Sequence, residues 1–214
     1  MTRAWSIAAL ALLVAGCSSG NNESLREVDR LRQVVAARVA GPQPVPQLTR
    51  ARVDGAGIPL MLAELERREA LASLIPVGVN GAVTTWTTGD GATLALRDGV
   101  VVASRGLAPD LMSAAVPSQA DLRRGGEIVR SHYTLGLDDV TERADYSCTI
   151  APAGGEVLEI VGRAYPTERF RESCSGDGRN FVNDYWVGRD GVMRQSRQWL
   201  GPDVGFLRLR RLDG

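Results

Sequence analysis

The residues of this chain that could carry out acid-base or nucleophilic chemistry are few. His132 is the only histidine among the 214 residues, and it stands between Ser131 and Tyr133 in a strand-like stretch. A serine triad would need this imidazole beside an activated serine, and residues 24–214 contain no Gly-x-Ser-x-Gly elbow. A histidine-based zinc site would have one imidazole only. The pattern favours a structural or surface histidine, no metal and no nucleophilic active site.

Paired carboxylates are the other source of chemistry. A glycosidase needs only two of them at a suitable separation, so a polysaccharide-modifying glycosidase remains an alternative to a protein that is not an enzyme. The glycine-rich runs match neither a phosphate loop nor a dinucleotide turn, so no cofactor is expected. The carboxylates available to a glycosidase are Asp90, Asp110, Glu127, Glu168, Glu172 and Asp184.

Two tryptophans, a carboxylate and a guanidinium flank an Asp-Gly pair near the end of the chain. Asp-Gly is typical of a two-residue hairpin turn, and that turn would place all four side chains on one face, with the indoles on either side of the ion pair. Such a face suits sugar binding, since rings stack on pyranoses and charged groups bond to hydroxyls. It equally suits a sheet that buries its tryptophans. The predicted cross-strand pairs are Trp186 with Gln195, Asp184 with Arg197, and Val182 with Trp199.

The elements that hold these residues are predicted to be antiparallel strands. From Pro76 onward the pattern has period two, with glycine and aspartate at short intervals. The clearest hairpin is 92–104, whose Asp98-Gly99 turn places Leu96 opposite Val101 and Leu94 opposite Ala103. One short helix is predicted around 110–115. Further strands are predicted at 127–135, 142–150, 156–165, 181–187, 192–200 and 205–212.

The preceding segment predicts helices instead. A capping box at 24–27 and an apolar stripe that ends at Val39 predict a first helix. A strand is predicted at 47–53, and a second helix from Pro59 to about Leu74, with an i,i+4 pair of Glu64 and Arg68 on its outer side. The predicted fold is therefore mainly β: an antiparallel curved sheet or partly open barrel built from hairpins, with two N-terminal helices packed on it, at the border of α+β.

The first residues resemble a bacterial lipoprotein signal. A short basic start and an apolar run of about a dozen residues end on Ala-Gly-Cys, which looks like a lipobox with Cys17 as acceptor. The resemblance implies a signal peptide at 1–16, an acylated Cys17 held in lipid, a tether at 17–23 and a single domain at 24–214. The alternative is an ordinary secretory signal. Ser18 stands where inner-membrane lipoproteins carry aspartate, which favours the outer membrane.

Charge and cysteine content bound the partners and the compartment. The chain has 25 basic and 25 acidic residues and no lysine. Without Arg3 the count is 24 basic against 25 acidic groups, which gives no reason to expect a nucleic-acid partner. An exported chain meets oxidising conditions, so Cys148 and Cys174 are expected to form a disulfide. Two buried free thiols are the alternative.

Three stretches resemble the YjbF/GfcB family of lipoproteins, which are encoded with machinery for exopolysaccharide and group 4 capsule export. They are 85–100, which begins Thr-Trp, 105–112, which reads Arg-Gly-Leu-Ala-Pro-Asp-Leu-Met, and the tryptophan-rich 181–199. The chain departs from the family pattern at Ala108-Pro109. The resemblance implies an outer-membrane lipoprotein that faces the periplasm and is mostly β. It implies a process, polysaccharide export, and no reaction.

These observations predict an accessory lipoprotein without catalytic activity that binds either export proteins or the exported glycan. A purely structural envelope lipoprotein is a further alternative. Arg105 and Asp110 are expected either to hold their turn or to contact a partner. The residues predicted to contact glycan or partner are Trp86, Arg105, Asp110, Asp184, Trp186, Arg197 and Trp199.

Overall fold

A single antiparallel sheet dominates the molecule. The computed structural model describes residues 48–136 and 140–213. Within these residues there are two short helices, α1 (Arg50–Gly55) and α2 (Gln119–Arg124), a 3-10 turn (Glu66–Arg68) and twelve strands. The strands are β1 Met61–Leu65, β2 Ala70–Asn80, β3 Val83–Thr88, β4 Thr93–Arg97, β5 Val100–Arg105, β6 Leu111–Ala115, β7 Gly126–Leu135, β8 Thr141–Ile160, β9 Arg163–Gly176, β10 Arg179–Gly188, β11 Met193–Gly201 and β12 Gly205–Arg211.

The strand order makes the sheet a nearly closed, barrel-like ring. The order is β5-β4-β3-β2-β1-β12-β11-β10-β9-β8-β7-β6, so strands adjacent in sequence pair with each other except β5 and β6, and the first strand pairs with the last. The two edges, β5 and β6, are themselves consecutive in the chain. Gln198 of β11 accepts the Val101 N–H of edge strand β5 at 2.9 Å. The Val101 N–H of this edge strand therefore has a side-chain acceptor in place of a neighbouring strand, as a buried backbone group requires.

The core lies mainly within the ring and has one extension outside it. Buried residues of β1–β6, β11 and β12 form the largest cluster, among them Leu74, Leu111 and Leu207. A separate cluster joins Val53 of α1 to Trp186 and Leu212. The helix α1 therefore covers the outer side of the sheet near the site described below.

The predicted helix from Pro59 to Leu74 is wrong. These residues form β1, the 3-10 turn and the start of β2. Glu64 does not pair with Arg68: its carboxylate accepts from Arg210 at 3.0 Å, and Arg68 donates to the Ala108 carbonyl at 2.8 Å. Pairing of β1 with β12 supplies hydrogen bonds across about 150 residues of sequence, and such long-range pairing overrides a local helical pattern.

Two shorter predictions are also wrong, and one cannot be compared. The predicted strand at 47–53 contains the start of α1, because the Thr49 side chain caps that helix by accepting from Arg52 N. The predicted helix at 110–115 is β6, which pairs with β7. The predicted helix at 24–39 lies outside the described residues.

The hairpin predictions hold in part, because bulges shift the register. Leu96 pairs with Val101 as predicted, but a bulge shifts the register, so that Leu94 lies opposite Ser104 rather than Ala103. The strands predicted at 142–150 and 156–165 are not separate. The first and half of the second belong to the 20-residue β8, in which the stretch 152–155 forms a bulge and not a turn.

Candidate functional site

The backbone of the tryptophan-bearing hairpin, β10 and β11, departs from the predicted register next to its turn and regains it beyond a bulge. Gly188 N–H donates to Val192 O at 2.9 Å, which makes the turn one residue longer than the predicted one. A bulge beyond Val187 then restores the register. Trp199 is outside this ladder, since its N–H donates to the side chain of Asn183 at 2.7 Å instead of pairing with Val182. The confirmed pairs are Trp186 with Gln195 and Asp184 with Arg197.

Of the two alternatives for this hairpin, the structure shows a sheet that buries its tryptophans rather than an exposed face. Trp186 is 5% exposed. Its indole N–H donates to Glu156 at 2.7 Å, and the Arg169 guanidinium lies 4.8 Å above its ring. Asp184 accepts from Arg169 at 3.0 Å and from Arg171 at 3.2 Å. Arg169 thus stacks on the indole and bonds to the neighbouring carboxylate, which holds Trp186 in place.

Arg197 bonds to a different carboxylate from the one the sequence predicted. Its guanidinium donates to both oxygens of Glu66, from Nε at 2.9 Å and from Nη2 at 2.7 Å. Arg208 donates to the same carboxylate at 2.8 Å. Burial acts to raise the pKa of Glu66, but the hydrogen bonds and charges of the two arginines hold it below its usual value. This part of the hairpin is therefore tied to the 3-10 turn after β1.

Trp199 belongs to an aromatic cluster beside the disulfide. It is 8% exposed and stacks on Phe181, with ring centroids 4.4 Å apart, and on His132 at 5.6 Å. Tyr146 meets the indole edge to face at 5.6 Å. Cys148 and Cys174 are bonded, as the sequence predicted, and pack against the same rings.

Trp86 lies in another part of the molecule, in the core of the β1–β6 half of the sheet. It is 3% exposed, and the Arg211 guanidinium lies 5.1 Å from its ring. The structure thus does not bring the three tryptophans of the described residues together. Trp86, Trp186 and Trp199 belong to three different clusters.

Asp110 and Arg105 fasten the loop that joins the two edges of the sheet. The Asp110 carboxylate accepts from the backbone N–H groups of Gly106 and Leu107, each at 2.9 Å, and from the Ser104 hydroxyl at 3.2 Å. Arg105 donates across the gap to the Leu111 carbonyl at 3.2 Å. The two residues therefore hold the turn side by side, each through its own partners.

The interior holds a buried polar network that the sequence analysis missed. Arg130 and Glu172 are both fully buried, and the Arg130 Nη1 donates to Glu172 Oε2 at 2.9 Å. The same carboxylate oxygen accepts from the Tyr185 hydroxyl at 2.6 Å and from the Asn183 amide at 2.7 Å. On its other side, Arg130 Nε donates to His132 Nε2 at 2.9 Å.

The protonation states of this network follow from its geometry. Burial and then the Glu172 charge raise the pKa of Tyr185 well above 10, so the phenol keeps its proton. Burial and the adjacent Arg130 charge lower the pKa of His132 to about 3. Since His132 is neutral and its Nε2 accepts from Arg130, the imidazole proton lies on Nδ1. That Nδ1 has no hydrogen-bond partner among the described residues.

Three of the candidate carboxylates and the candidate metal ligands are already engaged in bonds within the protein. Glu172, Asp184 and Asp110 each accept several donors, as described above. Among the described residues, Cys148, Glu172 and Cys174 lie close enough together to suggest a metal site. Both sulfurs are bonded to each other and cannot act as thiolates, so these residues do not fit a metal ion.

One sequence signal could have revealed the buried network. Ile128, Arg130 and His132 alternate along β7 and share one face. A guanidinium and an imidazole on the same side as an isoleucine indicate either an outward polar face or an inward polar pair. The partner carboxylate, Glu172, is 42 residues away, and its strand register cannot be read from local pattern.

The comparisons with known proteins agree with the fold. A family model described as group 4 capsule polysaccharide lipoprotein GfcB, YjbF, matches residues 28–212. The match and the antiparallel sheet define the class, a capsule polysaccharide lipoprotein. The chain belongs to the YjbF family, as its motifs predicted, and membership implies association with the cell envelope. The family description names no enzymatic activity.

Among solved structures, the chain is similar to the hypothetical lipoprotein YmcC from Escherichia coli K12. The TM-score is 0.70 at 22% sequence identity, and the similarity covers 87% of this chain and 95% of that one. At this identity the likeness shows the fold. No curated protein sequence matches the chain. No helix in the described residues has the length and apolar character needed to cross a membrane.

Proposed function

We propose that this protein is an accessory lipoprotein of capsule or exopolysaccharide export that acts by binding, to export proteins or to the exported glycan, and not by catalysis. In this proposal Cys17 is acylated after removal of residues 1–16, residues 17–23 form the tether, and the domain faces the periplasm from the outer membrane. The family match over residues 28–212 is the observation that carries the proposal.

The chemistry of the described residues supports a binding role. A general acid or base needs a pKa near the working pH and an open path to substrate. His132 has a pKa of about 3, and its Nε2 is occupied by Arg130. Glu172 is buried and accepts from three side chains. Both groups are suited to holding the interior in shape rather than to proton transfer.

Deletion and complementation in the producing strain test this function. Deletion of the gene should lower the amount of exported polysaccharide, and the intact gene should restore it. A Cys17→Ser gene, whose product cannot be acylated, should restore it only partly, because the domain is released from the membrane. Unchanged polymer output after deletion would contradict the proposal. Full restoration by Cys17→Ser would contradict the role of membrane attachment.

A separate assay addresses catalysis. Purified protein should release no reducing ends from the exported polysaccharide. Release that is lost in Glu168→Gln or Asp184→Asn would instead show a glycosidase, and the binding proposal would be wrong.

A further inference from the structure

The aromatic cluster around His132 borders a cleft that opens at one end of the sheet. The cleft has a volume of about 410 Å³, within the range of about 300–1,000 Å³ that is usual for small-molecule sites. His132 and Thr134 come from β7, Tyr146 from β8, and Trp199 from β11. The adjacent strands β7 and β8 and the more distant β11 therefore all contribute to the lining of the cleft.

The floor of the cleft contains a polar atom without a partner. His132 is 2% exposed, and its Nδ1 is hydrogen-bonded to no described residue. Because Arg130 donates to Nε2, Nδ1 carries the proton and can only donate. A buried donor left without an acceptor costs about 1–3 kcal/mol. His132 therefore brings a donor without an acceptor to the lining of the cleft, although the Nδ1 atom itself is buried.

The rim supplies both donors and acceptors. Glu142, Asp177 and Arg179 lie at the mouth together with Arg143. Arg143 bonds to Asp145 at 3.0 Å, so the remaining rim charges are two carboxylates and one guanidinium. Asp177 and Arg179 also act on the Tyr146 hydroxyl, whose pKa is raised first by burial and then by the Asp177 charge. The phenol thus keeps its proton and lies close to the rim.

These features together fit a hydroxyl-rich ring. His132, Tyr146 and Trp199 give the cleft an apolar lining, each with 8% or less of its surface exposed, and neighbouring acceptors and donors suit the hydroxyls of a pyranose. A rim of mixed charge discriminates against a simple ion of either sign. We propose that the His132 cleft binds one or two sugar units of the exported polysaccharide. This inference rests on the proposed function and names the site and the ligand class.

The three indole N–H groups of the mature chain allow the site to be located directly. The experiment uses the full mature chain with Cys17→Ser, labelled with ¹⁵N. The probe is a set of oligosaccharides of two to six units, prepared by partial acid hydrolysis of the exported polysaccharide. The indole signal of Trp199 should shift on titration. Those of Trp86 and Trp186, which lie in other clusters, should not.

Variants with matched controls test the contacts. Tyr146→Phe removes only a hydroxyl, and Tyr133→Phe does the same on a residue that does not line the cleft. Arg179→Ala removes the rim guanidinium, and Arg97→Ala removes an exposed arginine on β4. The dissociation constant should rise about threefold to tenfold in the first of each pair, as expected for the loss of one hydrogen bond. It should change less than twofold in the controls.

Each result decides the matter. A Trp199 shift that weakens in Tyr146→Phe and Arg179→Ala supports the cleft. No shift with millimolar oligosaccharide, a shift confined to Trp86 or Trp186, or binding unchanged in both variants overturns it. If the gene still restores polymer output in the deletion strain while the cleft does not bind, the inference fails and the proposed function stands. If deletion leaves output unchanged, the proposed function fails.

Discussion

Arg130 donates a hydrogen bond from Nε to Nε2 of His132 at 2.9 Å, and both side chains lie in the interior of the sheet. The bond fixes the imidazole in one tautomer, and the guanidinium charge opposes its protonation. Arg130 also keeps its own charge, because Tyr185 and Glu172 compensate for the burial that would lower its pKa. The only histidine of the chain is thus a neutral, oriented donor at ordinary pH.

The depressed pKa of His132 predicts a loss of stability in mild acid. The unfolded chain takes up a proton on this histidine near pH 6.5, while the folded protein does so only near pH 3. The unfolded state therefore binds more protons across this window. The free energy of unfolding should be highest above pH 6.5 and fall by up to about 1.4 kcal/mol per pH unit below it. Chemical denaturation at pH 7, 5.5 and 4.5 measures this slope.

His132→Gln provides the control, since glutamine does not titrate. Carboxylates with lowered pKa, such as Asp190 and Asp121, also lose stabilising interactions in acid. They do so equally in both proteins, and the difference between the two slopes isolates the histidine. Parallel slopes for the two proteins between pH 6.5 and 4.5 would contradict the assignment.

The buried ion pair predicts a large effect of removing one charge. Glu172→Gln should lower the free energy of unfolding by about 3–5 kcal/mol, because it leaves the fully buried Arg130 guanidinium without its counter-charge. Glu168→Gln, at an exposed position of the same strand, should cost less than about 0.5 kcal/mol. Urea denaturation measures both.

A second variant separates lost charge pairing from lost shape. Arg130→Met in the Glu172→Gln background removes the unpaired guanidinium. The double variant should therefore be more stable than Glu172→Gln alone. A double variant that is as unstable as the sum of the two single changes would show that the pair makes no specific contribution.

Loss of the Asp110 carboxylate should open the loop between β5 and β6 locally. Asp110→Ala removes the acceptor of two backbone N–H groups and one hydroxyl, and should lower the free energy of unfolding by about 1–3 kcal/mol. Amide exchange at Gly106 and Leu107 should accelerate more than at Leu209 in the middle of the sheet. Asp203→Ala, an exposed carboxylate in the β11–β12 turn, is the control. Equal protection of Gly106 in both variants would rule out this role for Asp110.

The disulfide predicts a measurable contribution to stability. The bond closes a loop between residues 26 apart in sequence, for which the chain-entropy treatment gives about 3–4 kcal/mol. Cys148→Ala with Cys174→Ala, in a Cys17→Ser background, should lower the midpoint of thermal unfolding. The parent should show no free thiol in a titration under denaturing, non-reducing conditions. Two titratable thiols in the oxidised protein would refute the bond.

The sequence predicted the fold where the signals are local. Asp98-Gly99 and Asp190-Gly191 each specified a hairpin, and the register of Trp186 with Gln195 was obtained because a longer turn and a bulge offset each other. Residues 59–74 were wrongly predicted to be a helix, because their leucines have helical spacing. The segment instead begins with strand β1, which pairs with β12. The alternation of apolar and polar residues alone does not reveal a bulge such as the one at 152–155.

The candidate site was harder to predict than the fold, for a physical reason. Trp186 and Trp199 were chosen for their residue type, and the structure buries both, because Arg169 covers one and His132 and Phe181 stack on the other. The partners of Asp184 and Arg197 come from strands and turns whose positions depend on the register of the whole sheet. Residue type indicates what a side chain can do, and only the assembled sheet decides what it meets.

The pairing of β1 with β12 also constrains the order in which the chain can fold. Every other ladder joins strands that are neighbours in sequence, so two meanders, β1–β5 and β6–β12, can each form by local steps. Their union must await the final residues, because Met61 has no partner on that side until Arg211 is available. A chain cut short before residue 205 would lack β12, and its two meanders would have no ladder to join them. Availability of the last strand is therefore the event that commits the protein to its native topology.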